Sequence, residues 1–321
     1  MKLRAGVILL ALTAAAGAEP LAYVTDQSAD AVSIVDLAQG RTVETIGVGQ
    51  KPAGVAVAPG GMRIYVSNPE SRSISIIERR GEKHQALAEI KVGQGPLGLA
   101  LDATAARLFV ADWYENQVYV IDTASQKISG AILVGKSPAG MAVSPDNHWL
   151  YVANRASDTI SVIDLASLQS QTEIAVGKAP FGVTFDANGP DGPRLLVANV
   201  QSNDVSVIDL ATRRETRRLK VRAYPYAIAV TKDGTRIFVT NQHDDSVSVF
   251  DGKSYAPLGV VEACGYPEGI LVAPDQREVF VACWMDNKLT AIDARTLQVT
   301  RRLAAGPGPR AFGQFITPDA R

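Results

Sequence analysis

The chain has 321 residues, 46% of them hydrophobic, with 33 acidic and 32 basic side chains, two cysteines and three histidines. Near-balanced charge argues against general attraction to nucleic acid or anionic membrane. Beyond the N-terminus no apolar run approaches the roughly 20 residues of a membrane span.

The first 18 residues stand apart. Lys2 and Arg4 precede a mostly apolar stretch from Ala5 to Ala16, and Ala16-Gly17-Ala18 has the small-x-small form of a cleavage site. This reads as a secretory signal peptide over 1–18. The mature chain is then expected in the periplasm or outside the cell. It keeps 33 acidic against 30 basic residues, a net charge of about −3.

From Leu21 onward one four-residue phrase recurs seven times. It reads Tyr23-Val24-Thr25-Asp26, Tyr65-Val66-Ser67-Asn68, Phe109-Val110-Ala111-Asp112, Tyr151-Val152-Ala153-Asn154, Leu196-Val197-Ala198-Asn199, Phe238-Val239-Thr240-Asn241 and Phe280-Val281-Ala282-Cys283. Successive copies are 42, 44, 42, 45, 42 and 42 residues apart. A fixed period of this length marks a repeat architecture. Each unit holds four strand-like runs. In the fourth copy these are Pro138 to Val143, Leu150 to Ala153, Thr159 to Asp164 and Gln171 to Val176. The third run alternates apolar and small polar residues, the period of a two-faced strand.

Four short antiparallel strands repeated seven times predict an all-β, seven-bladed β-propeller over 19–321. The first copy lacks a first strand, and Pro309 to Ile316 reads as a first strand with no blade behind it. The C-terminal strand is therefore expected to join the N-terminal blade and close the ring, leaving no free sheet edge there.

The phrases, the Val-Gly-x-x-Pro-x-Gly turns (Val48 to Gly54, Val92 to Gly98, Val134 to Gly140, Val176 to Gly182) and the Ser-Val-x-Asp type strands (Ser161 to Asp164, Ser206 to Asp209) resemble the YVTN repeat β-propellers over 21–318. The resemblance implies extracytoplasmic binding proteins, surface proteins, partners of periplasmic redox enzymes and occasional lactonases or lyases. A shared fold does not choose among these.

Residues that break the repeat carry the functional reading. The resemblance places the loops leading into first strands and those leaving second strands on one face, the top. The residues after each leading proline are Ala53, Leu97, Ala139, Phe181, Tyr226, Glu268 and Arg310. Tyr224 and Tyr266 precede their prolines; Trp113, Trp284 and His243 follow second strands. A lopsided mouth is expected, with an aromatic and charged sector built from Phe181, Tyr224, Tyr226, His243, Tyr266, Glu268, Trp284, Arg310 and Trp113. Aromatics with a few placed polar groups suit a ligand or peptide site. Glu268 and Arg310 alternatively form an ion pair at the last blade, and the aromatic rings alternatively pack on neighbouring blades. Cys264 and Cys283 fall at one end of adjacent strands, and in an exported chain a disulfide is the expected state.

His84, His148 and His243 lie in separate blades, so no metal site is expected. There is no Cys-x-x-Cys-His for haem and no Gly-x-Ser-x-Gly elbow; the Gly-rich turns, including Gly130 to Ser137, which spells Gly-x-x-x-x-Gly-Lys-Ser, belong to the repeat rather than to a phosphate loop, and no cofactor is expected. The Asp36, Asp122, Asp164, Asp209, Asp251 and Asp293 series reads as turn chemistry. The sequence favours a periplasmic recognition protein for a small molecule, peptide or protein partner, with enzymatic chemistry confined to one alternative. That alternative is a lactonase-type hydrolase or lyase at the same mouth, with Glu268 or His243 as acid or base. Single-strand nucleic-acid stacking on Trp113, Tyr226 and Trp284 is disfavoured by the acidic balance. Nothing in the sequence indicates an oligomeric state.

Overall fold

The computed structural model describes residues 20–317. The signal peptide expected over 1–18 lies outside them. Seven antiparallel sheets make a seven-bladed propeller. Blade 1 contributes Leu21–Asp26, Ala31–Asp36 and Arg41–Gly47. Blades 2 to 7 begin at Gly54, Pro96, Pro138, Pro180, Pro225 and Pro267, and each has four strands in chain order.

The recurring phrase forms the second strand, and its two-residue period decides the packing. Its aromatic or Leu residue faces the following blade, and its Val faces the preceding one. Tyr65 clusters with Leu108 and Val110 of blade 3. Phe109 clusters with Leu150 and Val152 of blade 4, and Tyr151 with Leu195 and Val197 of blade 5. Phe280 of blade 7 clusters with Leu21, Ala22 and Val35 of blade 1. Full burial of such a side chain contributes about 1.5–3 kcal/mol.

The leading Pro-x-Gly turn works at the channel. A Cβ on Gly98 would overlap the Ala139 carbonyl oxygen, and one on Gly140 or Gly182 would overlap that of Phe181 or Tyr226. Glycine is required because neighbouring first strands approach through bare backbone. Turns at the other end follow the predicted aspartates. Asp36 and Asp209, for example, accept the amide N–H of Gln39 at 2.7 Å and of Thr212 at 2.6 Å.

The C-terminal segment differs from a regular first strand. It bridges blade 1 only at Ala22–Ile316 and Asp26–Pro309. Its short strand Phe312–Gln314 pairs in parallel with Gly54–Val57 of blade 2. The cause is local: Ala311 and Gly313 have φ of 51° and 112°, which interrupts an extended run. The Tyr23 N–H still donates to the Phe315 carbonyl at 2.8 Å, and the Arg310 N–H to that of Thr25 at 2.9 Å.

His84 sits near the tip of the hairpin Ser73–Arg80/Lys83–Lys91. Its ring is buried against blade 1, with Nε2 3.0 Å from the Tyr23 hydroxyl and Nδ1 2.8 Å from Glu44. Burial pulls its pKa below the ordinary value, against the opposing pull of Glu44.

Candidate ligand-binding site on the top face

The repeat itself brings the candidate residues together. The residue before the leading proline adopts a left-handed conformation everywhere except at Gly95, with φ of 57° at Tyr224 and 54° at Tyr266. Lys51, Ser137 and Ala179 do the same in other blades. Its carbonyl accepts the N–H of the residue following the phrase. Trp284 N–H thus reaches Tyr266 at 3.1 Å, and Gln242 N–H reaches Tyr224 at 2.9 Å. Side chains at these two positions must therefore be neighbours.

The result on blades 6 and 7 is an arc of rings at the rim. Tyr224 stacks on His243 with centroids 3.8 Å apart and planes 15° apart. His243 lies 5.6 Å from Tyr266, and Tyr266 5.8 Å from Trp284. The Trp284 indole N–H donates to Gln27 of blade 1 at 3.3 Å. Tyr224 and His243 are exposed, and Tyr266 and Trp284 are partly so.

The residues after the prolines point inward and form a second, buried group. Phe181 lies 4.3 Å from Tyr226 and 6.2 Å from Trp113, which itself carries the Arg155 guanidinium over its ring. Phe312 packs on both Phe181 and Tyr226, at 4.9 and 5.4 Å. Beside them the predicted ion pair forms. Arg310 donates Nε to Glu268 Oε2 at 2.5 Å and Nη2 to Glu268 Oε1 at 3.1 Å. Arg310 Nη2 also donates to the Tyr226 hydroxyl at 2.9 Å, and the Gln242 amide donates to Glu268 at 3.1 Å.

Burial raises the Glu268 pKa while Arg310 opposes the rise. Burial also disfavours the Arg310 charge, but Glu268 and Tyr226 outweigh it and hold its pKa above the ordinary value. Both Glu268 oxygens are occupied, so this carboxyl is committed to holding the arginine. Arg310 nevertheless keeps 20% of its side-chain surface accessible.

The nine predicted residues thus divide by depth. Tyr224, His243, Tyr266 and Trp284 are rim; Phe181, Tyr226, Glu268, Arg310 and Trp113 lie within. Phe312, Gln242 and Arg155 were not anticipated. Gln242 and Arg155 directly follow phrase-ending asparagines, a position that marked Trp113 and Trp284.

Cys264 and Cys283 form a disulfide, with Cα atoms 5.7 Å apart. Other blades show why the bond fits there. A Cβ added at the equivalent Gly49 or Gly135 would lie 2.7 or 2.6 Å from Asn68 or Asn154. Blade 7 replaces this glycine–asparagine contact with a covalent one. Among the described residues no group of three His, Cys, Asp or Glu could hold a metal ion, and no helix is long and apolar enough to cross a membrane.

Residues 116–223 match the family described as lactonase, seven-bladed β-propeller. The matched segment runs from the third strand of blade 3 to the turn before Tyr224, so most of the candidate site lies outside it. No curated protein matches the chain. Among solved structures, a protein from Lactobacillus plantarum aligns with a TM-score of 0.77 and 17% identity, covering 93% of this chain and 98% of that one. Kuenenia stuttgartiensis hydrazine synthase aligns at 0.72 and 20%, covering 91% and 100%. Dihydro-heme d1 dehydrogenase NirN aligns at 0.70 and 14%, covering 94% and 75%. At these identities the likeness concerns the fold alone.

Proposed function

We propose that the chain is an exported, non-enzymatic recognition protein that holds a small molecule, peptide or protein partner over its top face. The rim arc Tyr224–His243–Tyr266–Trp284 carries this reading. Four rings in sequence, on a rigid scaffold and open to solvent, offer the aromatic contact area that dominates recognition surfaces. The disulfide supports an oxidising compartment such as the periplasm. A role beside a periplasmic redox or transport system is compatible with such a surface. The test is selection of binders from a random peptide library, followed by affinity measurement on the Tyr266→Ala/Trp284→Ala variant. Selected peptides should lose binding; undiminished affinity for the folded variant would reject the arc as the site.

The partial family match favours one second reading, hydrolysis of a lactone at the same mouth. There His243 would serve as acid or base and Arg310 would hold an anionic group, because Glu268 is already occupied. A panel of lactones tests it. Turnover abolished by His243→Ala would support it, and no turnover above background, with or without a divalent ion, would remove it.

A further inference from the structure

The central channel has a closed end and an open end, and the closed end is the top. Phe312 reaches across it to blade 4, where a Cβ on Gly140 would lie 3.1 Å from the Phe312 ring. With Phe181 and Tyr226 it forms a plug beneath the aromatic rim. Below the plug lies a cavity of about 590 Å³, lined by first strands and opening on the face opposite the rim. That volume falls in the range of small-molecule sites, about 300–1,000 Å³.

The walls are mainly apolar. Leu101, Met141, Val183, Phe185, Val230 and Val272 all line the cavity and are partly exposed. Polar side chains gather at its mouth, and the protein itself occupies most of them. Asp102 accepts Arg107 Nε at 2.9 Å, the Gln276 side chain accepts the Lys232 N–H at 2.6 Å and donates to Ala273 at 3.1 Å, and Gln314 donates to Ile316 at 2.9 Å. Lys232 is different. It lines the mouth, is exposed, and its ammonium makes no ion pair among the described residues. The first strands of blades 3 to 7 are also the terminal strands of their sheets, so their free edges offer main-chain hydrogen-bonding groups to the channel.

We propose that this blind channel binds an unbranched aliphatic carboxylate, its chain inserted toward the Phe312 plug and its carboxylate at the mouth beside Lys232. The apolar depth supplies the binding surface, and the unpaired ammonium selects an anionic over a neutral end. This site is separate from the top-face arc and does not depend on it.

The chain carries its own reporters. The mature sequence has three methionines: Met141 inside the channel, and Met62 and Met285 exposed at 54% and 62%. Met285 follows Trp284 and therefore reports on the top-face site independently. Decanoate titrated into protein with 13C-labelled methionine methyls should shift the Met141 signal saturably and leave Met62 and Met285 in place. Lys232→Glu should weaken decanoate by about threefold to fivefold, the scale of an exposed charge pair, and leave 1-decanol unchanged. Val183→Trp or Val272→Trp, whichever retains a cooperative melt, should abolish the Met141 response. The proposal fails if millimolar decanoate leaves the wild-type Met141 signal unmoved. It also fails if all three methyls shift together, or if a folded, channel-filled variant still binds. Equal affinity for decanoate and decanol would overturn the role of Lys232.

Discussion

Asp26 stands where four other blades carry asparagine, and the substitution Asp26→Asn should stabilise the protein. The side chain is 1% exposed. Its Oδ2 accepts the Ser33 hydroxyl at 2.6 Å, while the equally buried Oδ1 has no partner. In blades 2, 4, 5 and 6 the equivalent asparagine amide donates to the matching serine, at 2.9 Å for Asn68–Ser75 and 2.8 Å for Asn199–Ser206. An asparagine at 26 would meet Ser33 in the same way, without a charge to bury. Burial raises the Asp26 pKa from 3.8 to about 6, with the Ser33 hydroxyl offsetting part of the rise. At 1.36 kcal/mol per pKa unit, ionisation costs the folded state about 3 kcal/mol at neutral pH.

The sign follows from the direction. The folded state holds this proton more tightly than the unfolded state. The penalty is therefore full above pH 6, shrinks as pH falls toward 3.8, and is absent below it. At an unfolding entropy of about 2.1 cal/mol/K per residue, 3 kcal/mol in a chain of this length corresponds to a Tm gain on the order of 5 °C. Thermal unfolding of wild type and variant at pH 7.5 and pH 4 measures it. A gain at pH 7.5 that disappears at pH 4 is expected. No gain at pH 7.5, or an equal gain at both, would refute the buried-charge argument.

Three further outcomes follow from the same geometry. Reducing the Cys264–Cys283 bond, which links residues 19 apart, should cost on the order of 3 kcal/mol, read as a lower urea midpoint for Cys264→Ala/Cys283→Ser than for wild type. Arg310→Met should cost about 3–5 kcal/mol because it leaves Glu268 buried and unpaired, whereas adding Glu268→Gln should recover much of the loss in a double-mutant cycle. His84 resists protonation in the folded state, so its contribution is intact above pH 6.5 and is lost as pH falls through the depressed folded value. In urea titrations across pH 5–7, His84→Gln should lose less stability on acidification than wild type; identical slopes would exclude His84 as the cause.

The repeat made the blade count, the strand order and the end of each blade that carries the variable residues legible in sequence. It also pointed to the Cys264–Cys283 and Glu268–Arg310 pairs, since each pair breaks the pattern at positions that the register aligns. Depth was less legible. Register says which end of a strand a residue occupies, and the alternation across the proline decides whether it faces the rim or the channel. Tyr224 and Tyr266 before the proline face outward; Tyr226 and Glu268 after it face inward. Phe312 escaped notice because the segment that holds it has no complete blade behind it and leaves the extended conformation at Ala311 and Gly313. The repeat placed His84 in a blade of its own, but its bond to Tyr23 depends on how two blades sit together.

The contact between a lead-in glycine and a phrase-ending side chain also constrains how this chain can change. Blade 7 fills that slot with two cysteines, and blades 2, 4 and 5 retain slots of the same shape at Gly49/Asn68, Gly135/Asn154 and Gly177/Asn199. Neither half of such a cystine is useful alone. A side chain in place of the glycine crowds the asparagine in these three slots, although blade 6 carries Arg222 opposite Asn241, and a cysteine in place of the asparagine loses the amide bond to the nearby serine. The two positions are therefore coupled, and a route that changes the asparagine first passes through a less stable single-thiol ancestor. An engineer can skip that valley by changing both codons together, which makes the other blades templates for additional staples.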